Sequence, residues 1–310
     1  MTFSADTKAV IALTTRLGDR RRPSLSPTRW NALSRQLSEA GITPAQLFSQ
    51  DPLFPTEESE VIRTLLADAP AALLEADQLT QRGIWVRSIA DEDYPARLRS
   101  LDSHTPPVIF GVGPVELLHR GGIGVVGSRD VGPEGADVAR RVAERAAALG
   151  LPLVSGGARG VDQLAMNAAH QSAGTVVGVL ADSLQQRIRS ADVIRALDEG
   201  ETCLVTIQHP GAGFTPAAAM GRNKVIYALA DLTVVVAGDE GTGGTWAGAT
   251  EALRRGFGRV AVWRGPGEGP GNAALEELGA TPLADVDDLE SVLPSGPDHD
   301  PDIEQLRLLE

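Results

Sequence analysis

The sequence predicts an α/β protein, an extended Rossmann-like, mostly parallel sheet with helices on both faces, preceded by a small helical N-terminal domain. Three observations carry this. Short β-branched apolar runs recur at 123–126, 151–154, 175–180, 203–207, 232–236 and 260–263. Helical patterns alternate with them near 134–149, 160–173, 187–199, 216–230 and 245–255. Continuous apolar strands separated by helices mark a parallel sheet buried on both sides. Glycines gather where the runs end, at 127, 156, 157, 160, 238, 241, 243 and 244, and in open parallel sheets ligands bind beyond the carboxyl ends of the strands.

The elements before this alternation are helical. Apolar residues recur at Trp30, Leu33 and Leu37, at Leu47 and Phe48, and at Val61, Leu65, Leu66, Leu73 and Leu74. Ser26-Pro27 and Thr43-Pro44 read as helix starts, with proline at the first helical position. A strand is expected at 84–86. The division is therefore a helical domain over 1–82, a Rossmann-like domain over 83–293 and an acidic, disordered tail over 294–310. A last helix is expected at 272–278, after the glycine- and proline-rich loop 265–271.

The 310 residues suffice for one large domain and one small one. No apolar run approaches the roughly 20 residues of a membrane span, and residues 1–17 lack the pattern of a signal peptide. Cys203 is the single cysteine, which excludes an internal disulfide and a multi-thiolate metal site. A cytoplasmic protein is the simplest reading. The net charge of −13 argues against a general polyanion binder, since counterion release needs clustered Lys and Arg. The acid is uneven, however. Residues 285–310 hold nine acidic residues and one Arg, a net of −8, which leaves −5 for residues 1–284.

The most visible motif is misleading. Gly122-Ile123-Gly124-Val125-Val126-Gly127 has the G-x-G-x-x-G spacing, but a dinucleotide fingerprint must follow its strand, and these glycines lie within one. No cofactor is therefore expected. The candidate phosphate sites lie at the strand ends. Gly127, Ser128 and Arg129 combine backbone amides, a hydroxyl and a guanidinium. Ser155, Gly156, Gly157, Arg159 and Gly160 follow the second strand; Arg159 either reaches a phosphate or pairs with Asp162. Arg222, Asn223 and Lys224 are consecutive in a helix, so they fan over more than half a turn. Gly243, Gly244 and Thr245 open a helix, where free N–H groups and the dipole favour an anion. These four elements are expected to converge on one rim.

Catalytic residues are not expected. The five histidines are scattered, and neither H-E-x-x-H nor G-x-S-x-G occurs. Glu251, two turns after the Gly243-Gly244-Thr245 loop, is either a buried acid or a helix-surface residue. Trp246 is the one aromatic candidate for base stacking, or else it is buried.

Taken in order, Tyr94-Pro95, Pro106-Pro107-Val108-Ile109-Phe110-Gly111, Val126-Gly127-Ser128-Arg129, Ser155-Gly156-Gly157-Ala158-Arg159-Gly160-Val161-Asp162 and Arg222-Asn223-Lys224-Val225-Ile226 resemble the DNA-processing protein A (DprA/Smf) family over roughly residues 84–290. The resemblance implies an extended Rossmann fold, homodimers, binding of single-stranded DNA, loading of RecA in natural transformation, and no catalysis. It further implies that Arg129 and Arg159 meet DNA phosphates, that Arg222, Asn223 and Lys224 line the same pocket, and that Gly127, Ser128 and Ser155 add backbone or hydroxyl contacts. The chain departs from the family at Met166, where a histidine is usual, and at Ala181-Asp182-Ser183-Leu184, where a Tyr-Pro pair is usual. The 243–249 loop also differs, which makes this a divergent branch. The LOG-type nucleotide phosphoribohydrolases of the wider superfamily offer an alternative, with Gly243-Gly244-Thr245, Glu251 and Arg159 in the corresponding roles. A nucleotide sensor of phage defence is a third reading.

Overall fold

The computed structural model describes residues 3–49 and 56–294. Four helices come first: α1 (Ala5–Thr14), α2 (Pro27–Glu39), α3 (Thr56–Ala67) and α4 (Ala69–Gln81). Ser26 caps α2 by accepting from the Arg29 N–H, as the Ser-Pro pair predicts. Thr43-Pro44 starts a five-residue 3-10 helix. Nine strands follow: β1 (Trp85–Ser88), β2 (Val108–Val112), β3 (Ile123–Val126), β4 (Leu153–Ser155), β5 (Val176–Val179), β6 (Thr202–Thr206), β7 (Leu232–Val235), β8 (Arg259–Trp263) and β9 (Thr281–Leu283). The remaining helices are α5 (Pro133–Ala148), α6 (Val161–Gln171), α7 (Leu184–Arg187), α8 (Ala191–Asp198), α9 (Pro216–Leu229), α10 (Gly243–Arg255) and α11 (Asn272–Glu277). Among the described residues no helix is long and apolar enough to cross a membrane. Most of the acidic tail lies outside the described residues.

All nine strands form one sheet in the order β1-β2-β6-β5-β4-β3-β7-β8-β9. The pairs β1–β2 and β2–β6 are antiparallel, and the other six are parallel. The mostly parallel Rossmann-like sheet is therefore present, with two strands beyond the expectation. Strand β2 follows Pro106-Pro107; Tyr94 pins that pair by donating its buried hydroxyl to the Pro106 carbonyl at 2.6 Å. Strand β9 contains Pro282 at the sheet edge, where a missing N–H is tolerated.

Alternate strand residues face two cores, as the two-residue period requires. Ile123, Val125, Val176, Leu232 and Val234 pack with α5 and α6. Val126, Val177, Val179 and Val235 pack with α9 and α10. The N-terminal helices pack on Val108, Phe110 and Leu204. Leu204 pairs with Gly178 in register, two residues from Val176, so these helices extend the α5/α6 face. The expected helix over 187–199 is two helices: Ser183 caps α7 early, accepting from the Gln186 N–H, and Ser190 begins α8.

Candidate functional site

The order of the sheet decides where the glycine-rich turns meet. Strands β5, β4, β3 and β7 are consecutive neighbours and parallel, so their carboxyl ends share one rim. Three interstrand spacings make that rim roughly 15 Å long. Helix α9, on one face of the sheet, supplies the opposite wall. Between them lie two adjoining depressions. The larger, about 480 Å³, is lined by Gly127, Ser128, Arg129, Arg222, Asn223 and the 242–245 turn, among others. The smaller, about 250 Å³, is lined by Gly156, Gly157, Arg159, Asp182 and Arg187. Arg129, Ala158, Phe214 and Arg222 line both, so the two form one groove.

Arg129 occupies its middle. Its guanidinium lies over the ring of Phe214, 5.2 Å from the centroid. Phe214 is 49% exposed and lines both depressions. Residue 214 carries no signal in the sequence apart from being the single aromatic in the glycine-rich stretch before α9. Its place in the groove emerges only from its contact with Arg129, 85 residues earlier in the chain. Trp246, by contrast, is partly buried against the core and is not among the groove's lining residues.

Arg159 does not pair with Asp162. It meets Asp130 at 2.6 Å, both side chains being largely exposed. Arg187 meets Asp182 at 2.9 Å, both side chains being half-buried. The exposed Arg159–Asp130 pair is weak and screened by salt, so its guanidinium can exchange a carboxylate for a phosphate at little cost.

Asp162 instead pairs with Arg222, at 3.5 Å, and both are buried. The carboxylate also accepts from the Gly156 N–H at 3.2 Å. Burial pushes the Asp162 carboxyl up from its ordinary value, opposed by Arg222 and by the loop amides. Burial pulls the Arg222 guanidinium down, opposed by Asp162. Arg222 abuts Gly156: a methyl group there would sit 1.0 Å from Nη1. Gly156 is thus a packing requirement, and Arg222 braces the β4 turn while presenting one edge to the groove.

The other predicted residues divide in the same way. The Ser155 hydroxyl, expected to face a ligand, is fully buried and donates to the Val125 carbonyl at 2.7 Å, because β4 ends against β3 there. Gly127 lets Val161 approach, and Gly160, at φ +88, lies against the Ser128 carbonyl. Both hold turns together. Asn223 donates from Nδ2 to the Gly244 carbonyl at 3.1 Å and so ties α9 to the first turn of α10. Gly243, Gly244 and Thr245 reach the groove, and Thr242, the residue capping α10, makes no side-chain bond to its first turn. Lys224 falls outside the groove. One residue beyond Asn223, it points toward α10, pairs with Glu251 and lies 5.9 Å from the centre of the Phe257 ring. Glu251 is held there by Lys224 and Arg255, and does not line the groove.

Beneath the groove, Tyr227 is buried, and its hydroxyl has no hydrogen-bond partner. Burial pushes this phenol up from its ordinary value. No cluster of His, Cys, Asp and Glu among the described residues could hold a metal. The groove can thus offer guanidiniums, main-chain amides, an exposed aromatic ring and an uncapped helix terminus, a set that suits a phosphodiester strand with unstacked bases.

Comparison with known proteins adds to this geometry. A family model described as DNA recombination-mediator protein A matches residues 85–293. The DNA processing protein DprA of Bacillus subtilis (strain 168) is 28% identical over 166 residues, 53% of this chain and 55% of the relative. The putative DNA processing protein DprA of Mycobacterium tuberculosis (strain ATCC 25618 / H37Rv) is 33% identical over 195 residues, 60% of this chain and 49% of the relative. The chain spans about half the length of these curated relatives. Among solved structures, DNA processing protein A from Streptococcus pneumoniae superposes with a TM-score of 0.70 at 19% identity, covering 96% of this chain and all of the other. DNA processing protein A from Helicobacter pylori, solved to describe its single-stranded DNA binding mode, gives 0.55 at 20% identity over 66% of this chain and 94% of its own. At these identities the two structures share the fold.

Proposed function

Because the chain belongs to the DNA recombination-mediator protein A family, we propose that it binds single-stranded DNA in DNA processing and recombination or DNA uptake, with the strand laid along the carboxyl rim of its sheet. The observation that carries this is Arg129 held over the exposed Phe214 ring at the centre of the groove. A guanidinium beside an exposed aromatic face offers a phosphate contact and a stacking platform in one place, the two contributions from which single-strand binders draw affinity. The Helicobacter pylori relative, with its single-stranded DNA binding mode, supports the same ligand.

In this reading Arg129 and Arg159 take phosphates, and Phe214 stacks a base. The α10 terminus at Gly243, Gly244 and Thr245 takes a further phosphate, and Ser128 and the glycines add amide and hydroxyl contacts. Arg222 and Asn223 keep the walls in place. No residue is given a catalytic role. In the division of the chain into a helical domain over 1–82 and a sheet domain over 83–293, the described helices of the first dock on the second. Homodimer formation and delivery of the strand to RecA complete the proposal and rest on the family alone. The hydrolase alternative requires Glu251 to leave its pairs with Lys224 and Arg255.

The test is fluorescence anisotropy with a labelled single-stranded oligonucleotide at fixed low salt. Arg129→Ala and Phe214→Ala are each expected to weaken binding, the latter by about 1–3 kcal/mol, as stacking on one base is worth. Unchanged affinity in both variants would overturn the proposal.

A further inference from the structure

We infer that the nucleic-acid track continues beyond the groove, over the turn between α1 and α2, where Arg20 and Arg21 take further phosphates of the same strand. This inference rests on the groove being a single-strand site. Residues 16–22, Arg-Leu-Gly-Asp-Arg-Arg-Arg, hold four arginines and one aspartate in a chain whose net charge is −13. Such a concentration is the electrostatic footprint of a polyanion contact.

The structure gives the turn a defined shape. Arg22 points inward and is buried, donating to the Ala12 carbonyl at 2.8 Å and the Leu65 carbonyl at 2.9 Å. With Arg22 fixed, Arg16, Arg20 and Arg21 are exposed, and none of them forms an ion pair among the described residues. The one acid in the turn, Asp19, accepts from the Arg21 backbone N–H.

The turn is also tied to the groove. Glu75, on α4, accepts from the Gly18 N–H at 2.5 Å with one oxygen and meets His209 Nε2 at 3.0 Å with the other. His209 opens the loop that leads to Phe214. In that loop, a methyl group on Gly211 would sit 2.5 Å from an Arg20 guanidinium nitrogen and 2.8 Å from Gln185 Oε1. Pro210, beside it, accepts from the Ser183 hydroxyl and the Gln185 N–H. Ser183 follows Ala181 and Asp182, which line the smaller depression with Arg159 and Arg187. Guanidiniums therefore run from Arg129, Arg159 and Arg187, which line the groove, to Arg20 at Gly211, with the exposed Arg21 next to Arg20 in the chain. The acids beside this path, Asp130, Asp182 and Glu75, are each already engaged.

The experiment separates the two parts of the track by length. Anisotropy is measured on the full chain with single-stranded oligonucleotides of about six and about twenty nucleotides, one near the lower end of single-strand site sizes and one beyond their upper end. Wild type is compared with the double variant Arg20→Gln, Arg21→Gln and with Arg129→Ala. The double variant is expected to bind the short strand as wild type does, which also shows that it is folded. It should bind the long strand roughly tenfold more weakly, with a log–log salt slope shallower by about 1.4, two single-strand phosphates' worth. Arg129→Ala should weaken both lengths. Wild-type affinity of the double variant for both lengths would overturn the extension, and so would equal weakening at both. Failure of the wild type to bind either strand would overturn the groove reading and this inference with it.

Discussion

At the scale of single residues, the groove separates side chains that build it from side chains that face it. Arg222, Asp162 and Gly156 form one packed unit: a buried guanidinium, its carboxylate, and a glycine with no room for a methyl group. Gly156→Ala should destabilise the fold by about 1–3 kcal/mol, as overpacking in a tight site does, seen as a lower midpoint in urea unfolding. An unchanged midpoint would contradict the packing described. This division was only partly legible in the sequence. Glycine and arginine at the strand ends announce a ligand rim, but Gly156 and Arg222 carry the same letters whether they touch a ligand or each other. The pairing of Arg222 with Asp162, and of Arg159 with Asp130 instead, depends on which loop lies beside which. Phe214 was invisible for a similar reason, since its partner Arg129 is far away in the chain.

At the scale of elements, α9 shows how one helix serves three neighbours. Consecutive residues are rotated by about 100°. Arg222 turns to the β4 loop, Asn223 to the start of α10, and Lys224 to Glu251 further along α10. The sequence shows the fan but not its direction, which the packing of α10 beside α9 sets. Lys224→Gln should therefore lower the thermal midpoint and leave affinity for a short oligonucleotide at the wild-type value. A large loss of affinity with an unchanged midpoint would place Lys224 in the site after all. The parallel strands β3 to β8 were legible because burial on both faces leaves unbroken apolar runs. Strands β2 and β9 were not, one standing behind a proline pair and the other being three residues long with a proline inside.

At the scale of the whole molecule, the difficulty is charge. A chain of net −13 is a poor polyanion binder on average, so its positive groups must be gathered. The topology brings four strand ends to one rim, where Arg129, Arg159, Arg187 and Arg222 line one groove. Arg129 is the groove arginine that needs no release from a carboxylate among the described residues, and under the proposed function the Phe214 ring beside it stacks an unpaired base. A duplex, with its bases stacked inside, cannot use that ring. The most direct measurement is therefore competition between single-stranded and duplex DNA of equal length for the wild type and Arg129→Ala across a salt series. The account predicts that single strands win on the wild type at every salt concentration, that binding falls as salt rises, and that Arg129→Ala shows weaker binding with a shallower salt slope by about 0.7. Equal affinity for the two forms, or a salt slope untouched by loss of Arg129, would contradict it.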